Sequence, residues 1–125
     1  MKPKNEIVLL ALMGLLVAVL YGCGGGGGEK FGEAITTVET TKARDILARP
    51  DEFAGKTVKI EGQITRECPT GHWLYLRDET ATIYVEVGPS GIVLPQKVGS
   101  KATIEGKVLK RPEQTMIIGK GVEIQ

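Results

Sequence analysis

The amino-acid sequence predicts an all-β (mainly β) protein, a small closed barrel of five strands preceded by one short helix. Hydrophobic and polar residues alternate with a period of two in five segments between Lys56 and Ile124. Gly62 and Gly106 interrupt the first and fourth segments, where a strand that closes a barrel must bend sharply or bulge. Five strands are too few for a seven-stranded sandwich. We therefore expect the five-stranded OB-fold, a Greek-key barrel.

The first 22 residues predict a secretory signal peptide. Two lysines lie between Met1 and Glu6, and an uncharged apolar stretch of 14 residues runs from Ile7 to Leu20. This stretch is shorter than the roughly 20 residues that a helix needs to span a bilayer. A positive start, a short apolar middle and a small-residue end are typical of a segment that directs export.

The end of this segment, Leu20-Tyr21-Gly22-Cys23, resembles the lipobox of bacterial lipoproteins, although Tyr21 is bulkier than the usual residue. In that family the cysteine thiol receives a diacylglycerol, the peptide is cut just before it, and the new amine is usually acylated. The resemblance implies that Cys23 is the lipidation site and that membrane lipid is a partner, because two or more acyl chains anchor a protein stably. It also implies a place in the bacterial cell envelope, facing the periplasm. The outer membrane is favoured because Gly24 stands where an aspartate is associated with inner-membrane retention.

The chain divides into three predicted parts. These are the signal peptide at 1–22, a lipidated cysteine with a glycine-rich linker at 23–39, and the OB-fold domain at 40–125. Five consecutive glycines, Gly24–Gly28, begin the linker and give it broad backbone freedom.

The charge balance argues against a nucleic-acid ligand. The chain has 16 Lys and Arg residues and 15 Asp and Glu residues. Loss of residues 1–22 removes two lysines and one glutamate, which leaves 14 of each sign and no net charge. A neutral domain has little long-range attraction for phosphate backbones. The sequence also lacks a Ser/His/Asp set, a P-loop, a dinucleotide fingerprint and a paired-acid motif, so we do not expect an enzyme.

A short helix is predicted before the first strand. Thr41 is its predicted N-cap, and Ala43, Ile46 and Leu47 share one face. Pro50 ends this helix, because the residue before a proline avoids the helical region, and it begins one further turn.

The strands and their faces follow from the alternation. The predicted strands are Thr57–Thr65, Trp73–Arg77, Thr82–Val87, Lys101–Val108 and the region Thr115–Ile124. Asp78–Ala81 joins the second and third strands as a tight hairpin. On these two strands, the residues predicted to face the core are Leu74, Leu76, Ile83, Val85 and Val87.

A second resemblance covers most of the predicted OB-fold domain. It rests on Pro50–Lys56 followed by V-K-I-E-G, on Cys68, on Trp73–Leu76, and on Asp78 followed by I-Y-V-E-V. This pattern resembles small exported bacterial OB-fold proteins of the nucleic-acid-binding-like type, similar in outline to the tRNA-anticodon-type OB-fold. The resemblance implies a barrel that serves as a binding module, and the ligand must be argued from the site because a fold does not fix a function.

The predicted ligand-binding face carries three of the six aromatic residues of the chain. Trp73 and Tyr75 point outward on the second strand, and Tyr84 points outward on the third. Aromatic faces with nearby cations suit the stacking of bases or sugars, and OB-folds usually bind ligands on these strands. The cations that we expect around this face are Arg77, Lys59, Arg66, Lys110 and Arg111. The alternative is structural packing, in which the N-terminal helix covers the face or Trp73 fills one end of the barrel.

The loop after the first strand contains two residues that could bind a metal or react with an oxidant. Cys68 is the one free thiol once Cys23 is lipidated, and His72 is the one histidine. Thiolate and imidazole together suit zinc or copper, but two ligands are too few for a closed zinc site. Glu67, Asp78 or a second subunit could complete such a site, and an intermolecular disulfide or a structural role is the alternative. We expect no cofactor.

The sequence thus predicts a membrane-anchored cell-envelope lipoprotein that presents an OB-fold binding module. The ligand would be small, oligomeric or a partner protein. A metal- or redox-accessory protein that uses Cys68 and His72 is the second hypothesis.

Overall fold

The structure, a computed structural model, describes residues 28–125. The predicted signal peptide at 1–22, the lipidation site Cys23 and the glycines up to residue 27 lie outside the described residues. None of the helices in the described part of the chain is long and apolar enough to cross a membrane.

The described chain is mainly β, and its long strands close a five-stranded barrel. The strands are β1 (Glu29–Gly32), β2 (Thr57–Glu67), β3 (Trp73–Arg77), β4 (Thr82–Glu86), β5 (Lys101–Lys110) and β6 (Thr115–Ile124). Hydrogen-bonded neighbours follow the order β2-β3-β4-β6-β5. β5 also pairs with β2, and this pairing closes the barrel. The β4–β6 pair is parallel and every other pair is antiparallel. The predicted fold class, an OB-fold barrel, is confirmed.

Strand β1 is an addition to the five predicted strands. It pairs antiparallel with Gly121–Ile124 of β6. β4 pairs with the same edge of β6, but nearer its start, at Met116–Ile118. β1 lies inside the predicted linker, 23–39, and before the predicted start of the domain at residue 40. Four residues with one partly buried side chain, Phe31, are too few to show alternation. Gly121 permits the close approach, because a Cβ there would lie 2.3 Å from the carbonyl oxygen of Glu33.

Two short helices precede the barrel: α1 (Ala43–Ala48) and α2 (Pro50–Phe53). Ala43 and Ile46 are buried, as predicted, but Leu47 is 38% exposed because a six-residue helix presents only a narrow face to the barrel. The prediction that Thr41 caps α1 is also wrong. Lys42 occupies the N-cap position and its side chain makes no capping hydrogen bond.

The core follows the predicted alternation. The inward-facing residues of β3 and β4, with Val87 just beyond β4, are at most 1% exposed: Leu74, Leu76, Ile83, Val85 and Val87. Val58, Ile60 and Ile64 of β2 face the same core, and Ile46 of α1 joins it. The barrel and the first helix therefore share one hydrophobic core, as expected for a small domain.

The two bend glycines act in different ways. At Gly106 the register of the β5–β6 pair shifts, so this glycine lies at a β-bulge. Gly62 allows close packing, since a Cβ there would lie 2.4 Å from the carbonyl oxygen of Arg77. The bulge in β2 falls farther along, between Ile64 and Arg66.

Candidate ligand-binding site

Three aromatic rings form one cluster on the outside of β3 and β4. Tyr75 and Tyr84 are directly opposite each other in the β3–β4 pair, with ring centroids 5.2 Å apart. Trp73 lies 5.8 Å from Tyr75 in an edge-to-face arrangement and 5.9 Å from Tyr84. All three side chains are partly exposed. The predicted aromatic face therefore exists, and its rings contact one another at distances that are favourable for aromatic pairs.

Arg66 supplies the positive charge next to this cluster. It is opposite Tyr75 in the β2–β3 register, just after the β2 bulge. Its guanidinium carbon lies 5.6 Å from the centroid of the Trp73 ring, within the range of a cation–π interaction.

The cluster forms one wall of a groove, and the β5–β6 loop contributes to the opposite wall. The groove encloses about 410 Å³. Its lining residues are Arg66, Trp73, Tyr75, Tyr84, Glu86, Arg111, Glu113, Gln114 and Met116. The groove thus lies beside the loop that joins β5 to β6, on the strands where an OB-fold usually binds its ligand.

Tyr84 is held in place by a carboxylate inside the groove. Its hydroxyl donates a hydrogen bond of 3.1 Å to Oε1 of Glu86. Burial raises the pKa of Tyr84 to about 12, and the hydrogen bond and negative charge of Glu86 add to the rise. The phenol therefore stays neutral at physiological pH.

Two of the five predicted cations line the groove, Arg66 and Arg111, and three do not. The Lys59 ammonium donates to the carbonyl oxygen of Val38, because this part of β2 pairs with β5 instead of β3. The Lys110 ammonium forms an ion pair with Asp51 of α2.

Arg77 is the third predicted cation outside the groove. It lies at the far end of β3, and its guanidinium donates a hydrogen bond of 3.2 Å to Oε1 of Gln63. There it lines a separate polar cleft of about 690 Å³ beside the β3–β4 loop.

Four lining residues were not predicted as site residues. Glu86 alternates outward with Tyr84, which is a signal that the sequence did contain. Glu113 and Gln114 reach the groove from the turn between β5 and β6, whose path depends on tertiary structure, and Met116 reaches it from β6, where it pairs with Tyr84 of β4.

The N-terminal helices do not cover the aromatic face. Neither α1 nor α2 contributes a residue to the groove lining. Trp73 lies on the outer surface beside Arg66, so it does not fill an end of the barrel. The three rings do pack, but against one another and against Arg66, not against the N-terminal helices.

Cys68 and His72 lie in the β2–β3 loop and are joined through a hydroxyl. The Cys68 sulfur is 2.8 Å from Oγ1 of Thr70, which is 3.1 Å from Nδ1 of His72. The hydrogen bond with the Thr70 hydroxyl lowers the pKa of the Cys68 thiol, and backbone amides of the loop act in the same direction. Among residues 28–125, no three His, Cys, Asp or Glu side chains come together in a way that could hold a metal ion.

The carboxylates considered as further metal ligands make hydrogen bonds of their own, although Oε2 of Glu67 is buried without a hydrogen-bond partner. Oε1 of Glu67 accepts a 2.7 Å hydrogen bond from the Lys97 amide. Asp78 accepts hydrogen bonds from the amides of Ala43, Thr80 and Ala81. Within residues 28–125, Cys68 and His72 are therefore not joined by a third His, Cys, Asp or Glu side chain that could complete a metal site.

Comparison with known proteins gives a likeness of fold. No family model matches the chain, and no curated protein sequence matches it. Among solved structures, asparaginyl-tRNA synthetase from Pyrococcus horikoshii matches with a TM-score of 0.58 and 19% identity over 70% of this chain. The hypothetical protein ygiW from E. coli matches with a TM-score of 0.57 and 16% identity over 75% of this chain.

The chain has an OB fold. The match spans 98% of ygiW, so the fold makes up nearly all of that protein. It spans only 22% of the synthetase, so the fold is a small part of that enzyme. At these identities the likeness concerns architecture alone, and function must be argued from the groove.

Proposed function

We propose that this protein is a membrane-anchored cell-envelope lipoprotein whose OB-fold domain is a non-catalytic binding module. The groove beside Trp73, Tyr75 and Tyr84 is its ligand site. The observation that carries the proposal is the groove itself, because it combines three partly exposed aromatic rings with five charged or amide side chains. In a concave site, aromatic rings offer contact surface to a ligand and polar side chains fix its orientation.

The position of β1 supports a groove that faces away from the membrane. Cys23 is six positions before Glu29 along the chain, so the anchor would lie within about 20 Å of the start of β1. Glu29 pairs with Ile124 at one end of β6, whereas Met116 lines the groove near the other end. Eight residues of strand extend up to about 27 Å, enough to place the groove on the side of the barrel away from the anchor.

Lipid anchoring is tested by a single substitution. Cys23→Ser should abolish labelling of the protein by a fatty-acid analogue in cells and release the domain from membranes. Persistent labelling would contradict the lipobox assignment.

The binding role is tested with the soluble domain, which is residues 24–125 without the predicted signal peptide and lipidation site. Trp73 is its one tryptophan and reports directly on the groove. Ligands captured from an envelope extract should change Trp73 fluorescence, and Tyr75→Ala should weaken their binding about tenfold. Arg77→Ala is the matched control, because Arg77 is exposed on the same strand but outside the groove. Unchanged affinity in both Trp73→Ala and Tyr75→Ala, measured by calorimetry, would exclude the groove as the site.

A further inference from the structure

The charges that line the groove cancel. Two guanidinium groups, Arg66 and Arg111, lie with two carboxylates, Glu86 and Glu113. Sites for single-stranded nucleic acid combine aromatic stacking with a positively charged path for the phosphates, and their affinity depends on release of counterions. A groove of no net charge lacks this contribution, so its composition is unfavourable for a polyanion.

The aromatic rings can pack against a ligand whose own rings have apolar faces. The face of an aromatic ring carries partial negative charge, which attracts the weakly positive hydrogens of C–H groups. A sugar ring presents such C–H groups on its faces. The three mutually tilted rings of Trp73, Tyr75 and Tyr84 would contact more than one face or more than one sugar unit.

The polar residues of the groove match hydroxyl groups. A hydroxyl both donates and accepts hydrogen bonds. Glu86 and Glu113 supply acceptors, Arg66 and Arg111 supply donors, and the Gln114 amide supplies both. A neutral ligand with many hydroxyl groups would satisfy these mixed donors and acceptors without adding an unbalanced charge.

We propose that the groove binds a neutral oligosaccharide, with sugar rings against Trp73, Tyr75 and Tyr84 and hydroxyl groups on the flanking carboxylates and guanidinium groups. This inference rests on the proposed function and names its ligand class. The likeness to a tRNA synthetase concerns the fold alone, and the balanced charge of the groove is the reason for preferring the saccharide over nucleic acid.

The experiment titrates the soluble domain with neutral tetrasaccharides, namely chitotetraose, cellotetraose and maltotetraose, and follows Trp73 fluorescence and heat of binding. An oligothymidylate of eight nucleotides is the polyanionic comparison. We expect at least one tetrasaccharide to bind with a dissociation constant that changes less than about twofold between 50 and 300 mM NaCl, because no counterions are released. We expect the oligothymidylate not to bind.

Matched variants locate the binding. Arg66→Ala and Tyr75→Ala should each weaken tetrasaccharide binding about tenfold, whereas Arg77→Ala should leave it unchanged. Circular dichroism and the urea midpoint of each variant must match those of the parent domain. If Tyr75→Ala is unstable, Glu113→Gln tests the same groove from its loop.

The outcomes distinguish the two proposals. Failure of all three tetrasaccharides at millimolar concentration, or tighter and salt-dependent binding of the oligothymidylate, would overturn the saccharide inference. The binding-module proposal would still stand if another captured ligand lost affinity in Tyr75→Ala. Tetrasaccharide binding that is insensitive to both Arg66→Ala and Tyr75→Ala would overturn the saccharide site in this groove.

Discussion

The backbone amide of Ala43 donates a 2.8 Å hydrogen bond to Oδ2 of Asp78, which joins the first helix to the β3–β4 hairpin. The other carboxylate oxygen of Asp78 accepts hydrogen bonds from the amides of Thr80 and Ala81. The Thr80 hydroxyl in turn accepts from the amide of Arg44. A residue 35 positions away along the chain thus replaces the local N-cap that α1 lacks.

Removal of this carboxylate should destabilise the fold. We expect Asp78→Ala to lower the free energy of unfolding by about 2 kcal/mol, at the upper end of measured helix-cap losses, because a cap and a hairpin turn are lost together. Urea denaturation measures this change. Asp45→Ala is the control, since Asp45 is a half-exposed acid on the same helix. A loss no larger than that of the control would show that the cap contributes little.

Acid should lower the free energy of unfolding, because it protonates two carboxylates that accept hydrogen bonds in the folded protein. Burial opposes ionisation of Asp78, but its hydrogen bonds outweigh burial, and the net pKa falls below the usual 3.8. Hydrogen bonds from Thr37 and Thr36 lower the pKa of Glu105 below the usual 4.5. Because both folded-state pKa values are lowered, this stability is present above about pH 4.5 and is lost as pH falls through the lowered values.

The pH effect is measured as the urea midpoint between pH 6 and pH 3. The double variant Asp78→Asn with Glu105→Gln should be less stable than the parent at pH 6 and should lose less stability on acidification. Equal slopes for parent and variant would mean that other groups control the acid response.

Tyr84 should ionise only at high pH, because its pKa is raised from the usual 10.0 to about 12. Absorbance at 295 nm during alkaline titration should show one phenol with a pKa of about 12, which disappears in Tyr84→Phe. Glu86→Gln should lower that pKa, because it removes the negative charge that opposes ionisation, while the contribution of burial remains. An unchanged titration in Glu86→Gln would show that the hydrogen bond to Glu86 is not formed in solution.

The bulge in β5 should tolerate no side chain at its glycine. A Cβ at Gly106 would lie 2.2 Å from the carbonyl oxygen of Ile118. We expect Gly106→Ala to cost about 2–3 kcal/mol of stability, because backbone must move. At Gly88 the nearest atom to an added Cβ is 3.4 Å away, so Gly88→Ala should cost less than about 1 kcal/mol. Thermal unfolding of the two variants compares them directly, and similar losses would contradict the close approach.

Cys68 should be more reactive than an ordinary thiol. In a Cys23→Ser background, which leaves one thiol, the midpoint of the pH profile of iodoacetamide alkylation should fall below the usual 9.0. Thr70→Val should move the midpoint upward because the thiolate loses the Thr70 hydroxyl. Thr115→Val, a change far along the chain, serves as the control. The same midpoint in Thr70→Val and parent would rule out this hydrogen bond as the cause.

Much of the barrel could be predicted because β-strand alternation is a local property. The inward faces of β3 and β4 and the outward cluster of Trp73, Tyr75 and Tyr84 both follow from it. The cationic surroundings of this cluster could not be predicted in the same way. Lys59 and Arg77 point outward like the aromatic residues, but strand length and pairing register carry both away from the groove.

The sequence by itself determined the fold class, the core of the barrel and the aromatic face, because hydrophobic periodicity and turn residues act over a few neighbouring positions. Tertiary structure alone decided the rest. It placed β1 on the free edge of β6, brought Asp78 to the start of α1, and added Glu113 and Gln114 to the groove. Each of these contacts joins residues far apart in the chain, so no short window of the sequence contains the signal for it.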